Sequence, residues 1–166
     1  MIVFDSSTLI LIAKIEVLNC FLESVEFQVR IPTEVAKESC AVKKSLDAQL
    51  IQKAIDEAKI RVVAVKDRKL LAKLRHDFGL GTGEAEAIVL ALSESATLIG
   101  IDDKNGINAC KLLRISFTTA IGILIRMLER KRLPREEAMG KLAMLGNRGA
   151  TRSRFWNAQR RLEVGT

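Results

Sequence analysis

Met1-Ile2-Val3-Phe4-Asp5-Ser6-Ser7-Thr8-Leu9-Ile10 opens the chain, and its reading decides the fold. A short apolar strand ends on Asp5, and a helical pattern follows at once. The same device returns at Thr97-Leu98-Ile99-Gly100-Ile101, which runs directly into Asp102-Asp103. Further strand-like stretches complete a set of five, at Ile2 to Asp5, Phe27 to Ile31, Ile60 to Val65, Leu98 to Ile101 and Ile115 to Phe117, each followed by a helical pattern. Strict alternation of strand and helix predicts an α/β fold with a mostly parallel sheet covered on both faces. In such sheets ligands bind at the carboxyl ends of the strands, where this chain places its acid.

The helices are marked by their ends. Pro32 stands at a first-turn position after Ile31, Ser45 to Ala58 carries Leu46, Leu50, Ala54 and Ala58 on one face, and Arg68 to Phe78 is stopped by Gly79. Glu84 to Leu92, Lys104 to Leu113 and Ile121 to Glu129 follow, and a new helix starts at Pro134 with Glu136 and Glu137 suited to its first turn. Gly146-Asn147-Arg148-Gly149-Ala150 is the clear break before a short terminal helix over Thr151 to Leu162. The expected organisation is a main domain over residues 1–133, with a basic helical extension, residues 134–166, packed on it.

Composition narrows the class. With 166 residues, 48% of them hydrophobic, the chain has enough apolar material for one core without disulfides or metal staples. The longest apolar run, Ile121 to Leu128, contains Arg126 and falls far short of the roughly 20 apolar residues of a membrane span. No leader pattern precedes Asp5. Cys20, Cys40 and Cys110 are odd in number and widely spaced, which fits buried reduced thiols and a cytoplasmic protein. The net charge of +7 lies wholly in the last quarter: residues 126–166 hold 11 Lys or Arg against 4 Glu, and residues 1–125 hold 16 of each sign. That asymmetry reads either as a footprint for a phosphate backbone or acidic partner, or as a solvated helical surface.

Several chemistries are excluded. His76 is the only histidine and sits in a charged helix, and no Gly-x-Ser-x-Gly elbow exists, so Ser-His-Asp hydrolysis has no machinery here. Gly79-Leu80-Gly81-Thr82-Gly83 lacks the Gly-Lys-Ser/Thr ending of a phosphate loop and reads as one helix ending and another starting. An aspartyl phosphatase needs a second Asp two residues after the nucleophile, and that position is Ser7.

What remains is a gathering of carboxylates. Asp5, Asp102 and Asp103 end strands, and Gly83-Glu84-Ala85-Glu86 opens a nearly all-apolar helix. Two like charges about 4 Å apart repel by roughly 4 kcal/mol at an effective dielectric near 20, so such a cluster either protonates or binds a cation. An all-oxygen donor set favours Mg²⁺ or Mn²⁺ over zinc, and metal-assisted phosphodiester hydrolysis is the natural chemistry. Each acid also has a plainer reading. Asp5 and one of Asp102 and Asp103 suit helix caps, Glu84 and Glu86 suit a helix N-terminus, and Glu34 and Glu38 suit a solvated face. Because Glu84 and Glu86 lie about 200° apart on a helix, at most one faces the site squarely.

Four segments carry a resemblance. Val3-Phe4-Asp5-Ser6-Ser7-Thr8-Leu9-Ile10, Ile31-Pro32-Thr33-Glu34-Val35-Ala36-Lys37-Glu38, Gly83-Glu84-Ala85-Glu86-Ala87-Ile88 and Ile101-Asp102-Asp103-Lys104 resemble, in order and spacing, the four acidic motifs of PIN domains. The likeness covers about residues 1–130 and is nearest the VapC-like toxin branch, in the form with a Gly-Glu-x-Glu-Ala-Ile third motif. It implies a three-layer α/β/α fold, homodimers, Mg²⁺- or Mn²⁺-dependent cleavage of single-stranded RNA, and an antitoxin protein as partner.

Carried over by position, the resemblance makes Asp5, Glu38, Glu84 and Asp103 the catalytic acids. Asp5, Glu84, Asp102 and Asp103 are then the metal ligands, Ser7 and Lys104 meet the substrate, and Glu86 competes with Glu84. The chain departs from the family in having Glu at the third position, and after Asp103 it runs Lys104-Asn105-Gly106-Ile107-Asn108 where relatives of this branch often show a basic residue. A second reading, from a different class, is a catalytically degenerate PIN-like module that binds RNA or protein.

Overall fold

The computed structural model of the protein describes residues 1–146 and Asn157. The chain runs β1 (Ile2–Phe4), α1 (Ser6–Lys14), α2 (Leu18–Ser24), β2 (Val29–Pro32), α3 (Thr33–Ser39), α4 (Leu46–Asp56) and β3 (Ile60–Val63). It continues through α5 (Arg68–Phe78), α6 (Thr82–Ser93), β4 (Leu98–Gly100), α7 (Lys104–Leu112), β5 (Phe117–Thr118), α8 (Ala120–Glu129) and α9 (Arg135–Gly146). All strand pairs are parallel, in the order β3-β2-β1-β4-β5. The α/β architecture expected from the sequence is therefore the one the chain adopts.

Strand order decides where a site can form. From β1 the chain steps outward to β2 and β3, then returns across β1 to add β4 and β5. The reversal lies between β1 and β4, paired as Ile2 with Leu98, Val3 with Ile99 and Phe4 with Gly100. A crevice opens outside the carboxyl ends of strands at such a switch point, and here those ends are Asp5 and Asp102-Asp103.

Side chains alternate across the sheet with period two and feed a core on each face. Ile2, Phe4, Val29 and Ile31 join the core built with α1, α4, α8 and α9, whereas Val3, Ile99 and Ile101 join the one built with α5, α6 and α7. Phe4 meets Phe21 edge to face, with ring centroids 5.6 Å apart at 88°. Gly100 makes room for the Phe4 ring: a methyl there would collide with it and come 3.3 Å from Thr8 Cγ2. α6 is buried almost all round, from Ala85 to Ala91, which explains its lack of any polar stripe.

Several boundaries differ from expectation. β2 begins at Val29 and takes in Pro32, with Phe27 half exposed before it, and β5 is displaced to Phe117–Thr118. The crossover from β1 to β2 also holds a separate helix, α2, whose weak pattern buries only Leu18 fully. Cys110 is buried, but Cys20 and Cys40 are only partly so, which corrects the expectation of three buried thiols; all three are free. Ala138, Leu142 and Leu145 of α9 sit in the same core as α8, and Lys141 Nζ donates to the Ile15 carbonyl at 2.8 Å. The break after Gly146 and the terminal helix expected over Thr151 to Leu162 lie outside the described residues.

Candidate active site

Asp5 is the first residue past β1 and the N-cap of α1. Its Oδ1 accepts the Thr8 backbone N–H at 2.8 Å, and its Oδ2 accepts the Ser7 hydroxyl at 2.6 Å. The cap reading of Asp5 thus holds. Asp5 is 0% exposed. Burial pushes the carboxyl from 3.8 up to about 7, the hydrogen bonds from Ser7 and Thr8 pull the other way, and the negative charge of Asp102 adds to the rise. An ordinary cap at a surface helix carries no such desolvation cost.

The two acids after β4 divide their roles. Asp103 caps α7, its Oδ1 accepting from Asn105 N at 2.7 Å and Gly106 N at 3.1 Å. Asp102 Oδ2 accepts the Thr8 hydroxyl at 3.0 Å and the Ala120 backbone N–H at 2.8 Å, tying the end of β4 to the starts of α1 and α8. The alternative left open by the sequence, that either acid caps α7, resolves to Asp103.

Glu84 stands in the first turn of α6 and accepts the Gly81 N–H at 3.0 Å. Burial raises its pKa first, and the negative charges of Asp103 and Glu38 raise it further. Those three acids, from α6, α7 and α3, therefore share one field. Glu38 Oε2 accepts the Ser6 hydroxyl at 2.5 Å, which joins α3 to the residue after Asp5.

Glu86 takes another course. It is 5% exposed, accepts the Glu34 N–H at 3.1 Å and meets Arg68 Nη1 at 3.5 Å. Pro32, the N-cap of α3, has no side-chain hydrogen bond to offer, so Glu86 supplies the missing acceptor from across the interface. The structure thus sets Glu86 to hold α3, α5 and α6 together, apart from the shared field of Glu38, Glu84 and Asp103. Glu34 pairs with Lys37 at 3.2 Å, and Lys104 is exposed at the start of α7. His76 is exposed beside Asp77.

Among the described residues no three His, Cys, Asp or Glu side chains form a ready-made cation cage. The acids stand instead as two neighbouring sets, Asp5 with Asp102 and Glu84 with Asp103 and Glu38, joined through the adjacent Asp102 and Asp103. Their donors are all oxygen. Two of the carboxyls, Asp5 and Glu84, are lifted by burial and by neighbouring negative charge, which a cation would relieve. That chemistry fits a hard divalent ion.

Residues that the sequence did not single out are Ser6, Thr8 and Gly83, which place Glu38 and Asp102. The run of hydroxyls after Asp5 was the available signal, but which hydroxyl meets which acid depends on the packing of α1 against α3 and α8.

In comparisons with known proteins, a family model described as a PIN domain matches residues 1–159. No curated protein matches the chain.

Proposed function

Because the chain belongs to the PIN-domain family, whose members are in general nucleases, we propose that it is a metal-dependent endoribonuclease that hydrolyses phosphodiester bonds of single-stranded RNA. The observation that carries this reading is the arrival of carboxylates from four separate elements at one sheet edge, with Asp5 fully buried and raised to about 7. Asp5, Glu84, Asp102 and Asp103 would hold Mg²⁺ or Mn²⁺, with Glu38 beside them. A bound ion of this kind supplies Lewis acidity toward a phosphoryl oxygen and lowers the pKa of water toward neutrality. The chain's own part is to orient the acids and to bury Asp5 and Glu84 beside other carboxylates, so that a cation would favour their ionised forms. Ser7 fixes Asp5 Oδ2, Thr8 fixes Asp102, and the exposed Lys104 lies where a phosphate could be met.

The motif likeness extends the proposal to a cytoplasmic homodimer acting as the toxin of a toxin-antitoxin pair, with an antitoxin protein covering the acidic edge. Among the described residues no helix is long and apolar enough to cross a membrane. The basic stretch from residue 134 onward serves RNA binding in this reading.

The test is metal add-back on a substrate panel. Purified protein stripped with EDTA should be inactive on single-stranded RNA and regain cleavage with Mn²⁺ or Mg²⁺, leaving duplex RNA largely intact. Cleavage at full rate in EDTA would remove the metal from the mechanism.

One observation favours the second reading, a degenerate binding module: the site acids already accept structural hydrogen bonds. That reading predicts full RNA affinity without metal, lost on deleting residues 147–166.

A further inference from the structure

Glu38 lies on α3, a seven-residue helix, and is itself exposed, so burial alone does not fix where its carboxylate rests. Two contacts do so. The Ser6 hydroxyl, in the first turn of α1, donates to Oε2 at 2.5 Å. On the other side the carboxylate lies against Gly83 in the first turn of α6, where a methyl group would come 2.9 Å from both Cδ and Oε1 and closer still to Oε2. Ser6 directly follows Asp5, and Gly83 directly precedes Glu84. The two contacts therefore seat Glu38 between the elements that carry those two acids.

We infer that Ser6 and Gly83 are positioning residues for Glu38, Ser6 by orienting its carboxylate and Gly83 by leaving the socket into which it fits. The inference rests on the reading of the acidic edge as a divalent-cation site. Ser6 suits the role because its hydroxyl is not the cap of α1. Asp5 fills that position through Thr8 N, so losing the Ser6 hydroxyl leaves the helix start intact. Ser6 would then act on the cation site through Glu38, the acid beside the four ligands, and supporting groups behind a metal site typically change metal affinity or activity by about 10- to 100-fold when removed. Gly83 is buried, and any side chain there displaces the carboxylate or the first turn of α6.

The experiment is a double-mutant cycle between Ser6→Ala and Glu38→Gln, read by Mn²⁺ titration calorimetry and by kcat and KM on single-stranded RNA. Ser6→Ala should weaken Mn²⁺ binding about tenfold and lower kcat, with KM and the melting temperature in EDTA unchanged. Ser6→Thr, which keeps the hydroxyl, should restore both. In the Glu38→Gln background Ser6→Ala should add no further loss, and Gly83→Ala, if it folds, should match Glu38→Gln. Wild-type Mn²⁺ affinity in Ser6→Ala, or a loss that persists undiminished without Glu38, overturns the inference. If the wild-type chain itself binds no Mn²⁺, the cation-site reading falls and the positioning role falls with it, a result distinct from a failure of Ser6 alone.

Discussion

At the scale of single residues, Asp5 sets the pH behaviour of the protein. Its carboxyl goes from 3.8 to about 7 on folding, so between those values the folded chain keeps a proton that the unfolded chain has lost. Stability of the metal-free protein is then greatest below the lower value and falls as pH rises through the upper one. The full loss is roughly 4 kcal/mol at 1.36 kcal/mol per pKa unit. Asp5→Asn removes that penalty. Thermal unfolding in EDTA should show the wild-type protein losing stability between pH 5 and pH 8 while Asp5→Asn loses much less. Mn²⁺ should restore the wild-type protein at pH 8 and leave the variant unmoved. Asp5 was legible in the sequence because an acid directly after an apolar strand is conspicuous. Its complete burial was not, since that depends on long-range packing around the strand end, which no local pattern records.

At the scale of elements, α3 depends on its neighbours. Seven residues form a marginal helix without tertiary support, and Glu86 supplies an acceptor that Pro32 does not. Glu86→Ala leaves the Glu34 N–H without that acceptor and should cost about 1–3 kcal/mol in urea unfolding. Glu86→Gln keeps an acceptor and should cost clearly less. Ser39, the last residue of α3, is 3% exposed, and its hydroxyl has no hydrogen-bond partner among the described residues. Ser39→Ala should therefore be neutral or stabilising by up to about 1 kcal/mol, measured by the same unfolding curves. Helices with strong ends were readable: Arg68–Phe78 falls where the sequence puts it because Gly79, at φ 63°, stops it. The sequence allowed only one of Glu84 and Glu86 to face the site. That Glu86 ties α3 to α6 while Glu84 lies near Asp103 and Glu38 follows from the position of α3, a long-range fact with no local signal.

At the scale of the whole molecule, the parallel order β3-β2-β1-β4-β5 brings acids far apart in sequence to one edge. The surplus positive charge belongs to another stretch, since residues 147–166 alone carry five Arg against one Glu. If that charge meets RNA, deleting residues 147–166 should weaken binding of single-stranded RNA and flatten its salt dependence. Each lost phosphate contact should change the slope of log K against log salt by about 0.7. Filter binding at several salt concentrations measures it, and an unchanged slope would assign the basic segment to another role. Strand alternation and charge asymmetry made the architecture and the division of charge legible from the sequence. The pairing of acids into two neighbouring sets was not, because it follows from how α3 and α6 pack.

In the proposed function the acidic edge holds a divalent cation through Asp5 and uses it to cleave RNA. Its most direct test is the initial rate of single-stranded RNA cleavage at pH 8 in saturating Mn²⁺, for wild type and Asp5→Asn side by side. Steady cleavage is expected of the wild-type protein and a loss of more than about tenfold of the variant, since removing even a group that supports a metal ligand costs about 10- to 100-fold. Equal rates for the two proteins would contradict it.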